Sequence, residues 1–153
     1  MKNPHHTVTK EKHLKELVKR VPPIINVNII IRKGESLLLG KHSQTDEPGW
    51  LFPGGRMKWD ETPQESALRI LQNEVPGVVA SLKKFVAVNT DKGWDFRANG
   101  VNLYFLFDYI SGNPKENEQI KEFKWFSRDE FISSEDIYQI EQDLAKELDV
   151  AIR

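Results

Sequence analysis

The chain has 153 residues, 39% of them hydrophobic and 29% charged, with a formal net charge of −1. That length suits one domain, residues 1–153, able to bury a core without staples, and the near balance of charge gives no global reason to bind nucleic acid or an anionic membrane. No apolar run approaches the ~20 residues of a membrane helix, and with no cysteine there is no disulfide, no thiolate zinc site and no cysteine nucleophile.

The opening residues Met1-Lys2-Asn3-Pro4 lack the apolar stretch of a secretion signal, so a cytoplasmic location is expected. His5-His6 reads as a polar terminus, because two adjacent imidazoles have no third ligand nearby. Over residues 9–21, Leu14, Leu17, Val18 and Val21 recur at three- and four-residue steps among Lys and Glu, the pattern of a one-sided helix, which Pro22-Pro23 ends. Residues 24–32 are rich in β-branched side chains, Lys33-Gly34 is a turn, and residues 36–41 are apolar again; together they predict a hairpin. Residues 42–49 read as a polar loop, and Trp50-Leu51-Phe52-Pro53 as a short extended piece leading into Gly54-Gly55.

The helix start at Thr62 is the clearest local signal: Thr62 as N-cap, Pro63 at the first helical position and Glu65 three residues after the cap form a capping box. The helix should run from Pro63 to about Val75 and stop at Pro76-Gly77. At about 100° per residue, Leu68, Leu71 and Val75 form the expected core stripe, with Glu74 at its edge facing the loop side and Ile70 beyond it. Residues 82–89 and 101–110 read as strands, and Leu103-Tyr104-Phe105-Leu106-Phe107 is apolar enough to be buried on both faces. Between them, residues 90–100 form an expected polar loop with Asp91, Trp94, Asp95 and Arg97. A turn at 111–114, a strand within 118–126, a second capping box at Ser127 and Glu130, and a helix over 134–150 with Ile137, Ile140, Leu144 and Leu148 on one face complete the chain. There is no internal repeat. Strands and helices in this order predict an α+β fold, an α/β/α sandwich.

Gly55, five residues, Glu61, seven residues, Arg69 and then Glu74 resemble the Nudix box, G-x5-E-x7-R-E-U-x-E-E-x-G-U with U apolar. That resemblance implies a Nudix-type α/β/α sandwich with a mixed central sheet, and hydrolysis of nucleoside diphosphates linked to another group with the help of divalent metal. The chain departs from the box at Ile70 and Asn73, where the family has metal-binding glutamates, and at Pro76, which delays the box glycine to Gly77. One branch, the GDP-mannose mannosyl hydrolases, lacks the same two glutamates. Similarity to it extends over Leu38-Leu39-Gly40-Lys41, Trp50 to Arg56, Asp60-Glu61-Thr62 and Glu118-Gln119 shortly before Trp125.

Carried over residue by residue, this resemblance implies Mg²⁺, with Mn²⁺ as a substitute, held by the carbonyl of Gly54 with Glu74 and Gln119. Arg56 would meet the diphosphate and its developing charge, Arg69 would be the helical arginine of the box with Glu61 as its partner, and Asn28 and His42 would stand at substrate-contacting positions. The substrate would be a nucleotide sugar of the GDP-mannose type, and a homodimer is suggested by the same resemblance. The branch places its general-base His directly after the Gln; this chain has Ile120, which cannot take a proton, and Asp91, Glu118 and Glu122 are the candidate substitutes. Trp94 and Tyr104 are candidates for stacking on a base or sugar, with packing as the alternative. The expected function is a sugar-releasing hydrolase; the alternatives are a pyrophosphohydrolase that releases nucleoside monophosphate and sugar phosphate, and a nucleotide-sugar binding module that has lost catalysis with Ile70, Asn73 and Ile120.

Overall fold

The computed structural model describes residues 9–12, 23–43, 49–95, 98–135, 137 and 144, and for 91–95 and 98–99 the backbone alone. The β-branched run forms β1 (Ile24–Lys33), and the apolar run after the turn forms β2 (Ser36–His42). The turn itself is Gly34–Glu35, one residue later than the sequence suggests, and Gly34 takes it with φ +59°. β1 and β2 pair only beside this turn, at Arg32 with Leu37 and Lys33 with Ser36. Beyond it the two strands part, and the chain from Trp50 onward is wedged between them.

On the β2 side of the wedge, Gly40 and Leu51 exchange backbone hydrogen bonds of 2.8 and 2.9 Å. On the β1 side, Ile29 N–H donates to the Pro53 carbonyl at 2.8 Å, and β3 (Gly54–Arg56) pairs antiparallel with Asn26, Val27 and Asn28. β4 (Val79–Asp95) and β5 (Ala98–Ser111) make a long antiparallel hairpin, so the expected polar loop at 90–100 is largely strand; a two-strand ladder satisfies its backbone whatever the side chains. β6 (Ile120–Ser127) pairs with β2. The strand order is β4-β5-β1-β2-β6 with β3 against β1, and β1 and β5 run parallel, which makes the sheet mixed.

One face of the sheet, with Val27, Ile29, Ile31, Phe105 and Phe107, receives α1 (Pro63–Glu74) through Ala67, Ile70, Leu71 and the following Val75. The expected stripe was rotated: Leu68 is 45% exposed and Ile70 is 1% exposed. The small Ala67 is fully buried against the strands, so the helix docks along 67, 70, 71 and 75 rather than along 68, 71 and 75. The opposite face, with Ile30, Leu39, Tyr104, Leu106 and Phe126, packs against Phe131 of α2 (Arg128–Ser133) and against Ile137 and Leu144. Both capping boxes form as the sequence predicts. Tyr104 is 1% exposed and meets Phe52 edge-on, so it packs the core and offers no stacking surface. Most of the helices expected over 9–21 and 134–150 lies outside the described residues; at 10–12 the chain is helical, with Lys12 N–H on the Thr9 hydroxyl. No helix among the described residues is long and apolar enough to cross a membrane.

Candidate active site

The wedge sets Gly54 and Gly55 beside the last turn of α1. Gly54 N–H donates to Glu74 Oε2 at 2.8 Å, across twenty positions of sequence. A side chain at Gly54 would meet Asn28 Oδ1 at 2.1 Å and the Val27 carbonyl at 2.9 Å, so the close pairing with β1 requires glycine. At Gly55 a Cβ would stand 3.7 Å from Glu74 Oε1, which places that oxygen over the bare side of the turn. Burial pushes the Glu74 carboxyl up to about 7, while the Gly54 N–H and the charge of Arg69 pull it the other way.

The loop between β3 and α1 is braced by an ion pair. Arg69 Nε donates to Glu61 Oε2 at 2.7 Å and its Nη2 to Glu61 Oε1 at 3.0 Å; the same Nη2 reaches the Arg56 carbonyl at 2.9 Å. Glu61 Oε1 also accepts from the Lys58 N–H and the Ser66 hydroxyl, each at 2.9 Å. These donors, the arginine first, hold Glu61 down at about 2, so it is ionised throughout the neutral range. Arg56 itself is exposed, and its register with Asn26 puts its side chain on the α2 side of the sheet.

A third segment reaches the site through a residue that sequence reading did not single out. Asn117 Nδ2 donates to the Glu74 carbonyl at the end of α1 at 2.8 Å, and its Oδ1 accepts from Gln119 N–H and Ile120 N–H at 2.9 and 3.1 Å. Its only sequence signal was an Asn two positions before Gln119, the spacing of an Asx turn. Gln119 is thereby anchored near Glu74, with an exposed side chain and with its carbonyl on Ser43 N–H at 2.8 Å. Ile120 is fully buried, and a Cβ at Gly40 would come within 2.6 Å of its Cγ2. Of the substitute bases, Glu118 is exposed, Glu122 is exposed with Lys41 Nζ at 4.0 Å, and the side chain of Asp91 lies outside the described residues, as does that of Trp94.

His42 ends β2, opposite Ile120. Burial lowers its pKa, against a weaker opposing effect of a hydrogen bond to the Phe52 backbone, so at neutral pH the ring is uncharged and brings no cation to a phosphate. Asn28 stands over Gly54 on the α2 side of the sheet, away from Glu74. Thus Gly54 and Glu74 are in direct contact, Arg56, Glu61 and Arg69 are linked, Gln119 is drawn in by Asn117, and His42 and Asn28 flank this group.

The family model described as the NUDIX domain matches residues 22–148. The chain belongs to the Nudix family. Among relatives of this Nudix chain is the ADP-ribose pyrophosphatase of Methanocaldococcus jannaschii, 28% identical over 120 residues that cover 78% of this chain and 70% of the relative. Solved structures with the same fold include a MutT protein from Methanosarcina mazei Go1, with TM-score 0.75, 20% identity, and coverage of 86% of this chain and 96% of that one. A UDP-X diphosphatase aligns with TM-score 0.68 and 20% identity over 95% of this chain and 74% of its own. Nudix hydrolases generally use divalent metal ions such as Mg²⁺ and act on nucleotide-derived substrates. In this Nudix chain no group of three or more His, Asp or Glu side chains gathers among the described residues. The donors at the Gly54–Glu74 contact are oxygens, the kind a hard cation takes, and a half-buried carboxylate with one oxygen over a bare glycine suits such an ion.

Proposed function

We propose that the protein is a Mg²⁺-dependent hydrolase of a nucleoside diphosphate sugar, with GDP-mannose as the first substrate to assay. In this reading water attacks the anomeric carbon, the bond from that carbon to the diphosphate oxygen breaks, and the nucleoside diphosphate leaves whole. The observation that carries it is Glu74 at the Gly54–Gly55 turn, the single carboxylate there among the described residues. One cation beside a leaving diphosphate, with phosphate oxygens and waters completing its shell, needs fewer protein carboxylates than attack on phosphorus with several metals. The Gly54 carbonyl, Glu74 and Gln119 would hold the metal, and Mn²⁺ would serve in place of Mg²⁺. Arg56 would take up charge on the departing diphosphate, and Arg69 with Glu61 would position it, because both lock the backbone of its loop. Ile120 contributes packing alone, so proton removal would fall to another group.

The second reading is a pyrophosphohydrolase that cuts between the phosphorus atoms, and the specific support for it is the name of the M. jannaschii relative. The experiment is incubation of the purified protein with GDP-mannose and with ADP-ribose in Mg²⁺, the products being identified by chromatography. GDP with free mannose supports the first reading. GMP with mannose 1-phosphate, or AMP with ribose 5-phosphate, overturns it in favour of the second, and binding without turnover of either compound would leave a nucleotide-sugar binding module.

A further inference from the structure

Four polar side chains fall on one transverse row of the sheet. Arg56 of β3 pairs with Asn26 of β1, Asn26 with Asn102 of β5, and Asn102 with Asn89 of β4. Residues directly opposite one another across neighbouring strands project to the same face, here the α2 side. The three amides are joined in sequence: Asn26 Nδ2 donates to Asn102 Oδ1 at 3.2 Å, and Asn102 Nδ2 donates to Asn89 Oδ1 at 2.9 Å. At about 4.8 Å per strand the row is about 14 Å long, from the arginine to the edge strand.

Asparagine is depleted in strands, because its side chain competes for the backbone and packs poorly on a pleated surface. Three in register on adjacent strands call for a reason beyond folding. The next row toward the core is Asn28 and Tyr104 with the side-chain-free Gly54, and the next row outward is Ile24 with the buried Gly100. The row therefore lies where the apolar core ends, and glycines beside it keep side chains out of the way. Asn102 in the middle is 5% exposed, whereas Asn26 and Asn89 are half-exposed. Because Asn26 and Asn102 both donate toward β4, the ends differ. Neither Asn26 Oδ1, an acceptor, nor Asn89 Nδ2, a donor, makes a hydrogen bond to a described residue.

We infer that this row is the recognition floor for the sugar joined to the diphosphate, with Asn26 and Asn89 contacting its hydroxyls and Asn102 acting as the positioning residue between them. The inference rests on the nucleotide-sugar reading above and adds to it where the sugar lies and which side chains select it. A sugar hydroxyl both donates and accepts, so it suits an acceptor at one end of the row and a donor at the other. The three asparagines carry no charge, which fits a neutral ring better than a second phosphate. Arg56 at its head fixes the order: diphosphate at the arginine, sugar over the asparagines.

The test is titration calorimetry without divalent metal, so that nothing turns over, using GDP-mannose against GDP and ADP-ribose against ADP. Asn26→Ala and Asn89→Ala are each expected to weaken whichever sugar-bearing ligand the wild type prefers by ~10-fold, while changing the sugar-free diphosphate by less than ~2-fold. A second arm needs no variant: the preferred nucleotide with a deoxy sugar should bind the wild type ~10-fold more weakly than the parent, because an amide is left unpaired. Equal weakening of the sugar-bearing and sugar-free ligands would place the nucleoside or the diphosphate on the row and overturn the assignment. So would a deoxy sugar bound as well as its parent, or variants indistinguishable from wild type. If the wild type binds neither sugar-bearing ligand more tightly than the bare nucleotide, the nucleotide-sugar reading fails together with this one.

Discussion

Glu74 carries more of the argument than any other residue, because its environment opposes its own charge. Half-buried at the end of α1, with one backbone N–H as its hydrogen-bond donor among the described residues, it holds its proton up to about 7. The sign of the consequence follows from linkage. The folded chain binds the Glu74 proton more tightly than the unfolded chain does, so stability from this group is full below the ordinary glutamate value near 4.5 and is lost as pH rises through about 7. A divalent cation reverses this, because it favours the ionised form, and its own affinity should fall by about tenfold per pH unit below that pKa. Melting of the metal-free protein should therefore shift downward between pH 5 and pH 8, and Glu74→Gln, which removes the titration, should flatten that shift. The same variant should lose its Mg²⁺-dependent turnover. A wild-type melting curve indifferent to pH over this range would show that the fold does not hold this proton up, and a Glu74→Gln variant that still turns over would overturn the proposed role of Glu74 at the metal. Glu61 behaves in the opposite sense: four hydrogen bonds, two from Arg69 and one each from Lys58 and Ser66, keep it charged.

Among the elements, β2 and β6 show how tightly position 120 is tied to packing. Ile120 fills the space that Gly40 leaves empty, with 2.6 Å between its Cγ2 and the Cβ that any other residue would bring to position 40. Gly40→Ala should destabilise the fold by ~1–3 kcal/mol through overpacking. Ile120→Ala alone should cost ~2–5 kcal/mol through the cavity it opens. The double variant should cost clearly less than the sum, since the new methyl enters that cavity; urea unfolding of all four proteins measures the coupling, and strict additivity would mean that the two side chains do not share the space. What the sequence disclosed about such elements depended on range. The capping boxes at Thr62 and Ser127 were legible because each closes within three residues. The face of α1 was not, because Leu71 serves both candidate stripes and the choice between Leu68 and Ala67 is made by the strands beneath. The Gly54–Glu74 contact was legible through its resemblance to the box, whereas Asn117 and the asparagine row depend on strand register between distant segments, which periodicity within one segment cannot reveal.

At the scale of the whole molecule, the two faces of the sheet meet at the wedge. Gly54 takes its place from both sides: Glu74 and Val27 belong to the α1 face, while Phe52, two residues before it, is 1% exposed on the other face. There Phe52 meets Phe131 of α2 with ring centroids 5.5 Å apart and Tyr104 at 6.2 Å. α2 is six residues long, and Phe131 is its buried residue, so this one ring anchors the helix. Phe131→Ala should cost ~3–5 kcal/mol, the range for a large side chain removed from a core. If Phe52 then relaxes toward the vacated space, Pro53 and Gly54 follow, and the Mg²⁺ concentration for half-maximal turnover should rise even at temperatures where the variant is fully folded. Leu71→Ala, beneath α1, serves as the control of comparable stability cost on the opposite face, ~2–5 kcal/mol. A metal requirement raised by Phe131→Ala beyond that of wild type would show that packing behind the sheet holds the Gly54–Gly55 turn in place. If Phe131→Ala is destabilised but keeps the wild-type requirement, the ladder with β1 is sufficient by itself to hold Gly54.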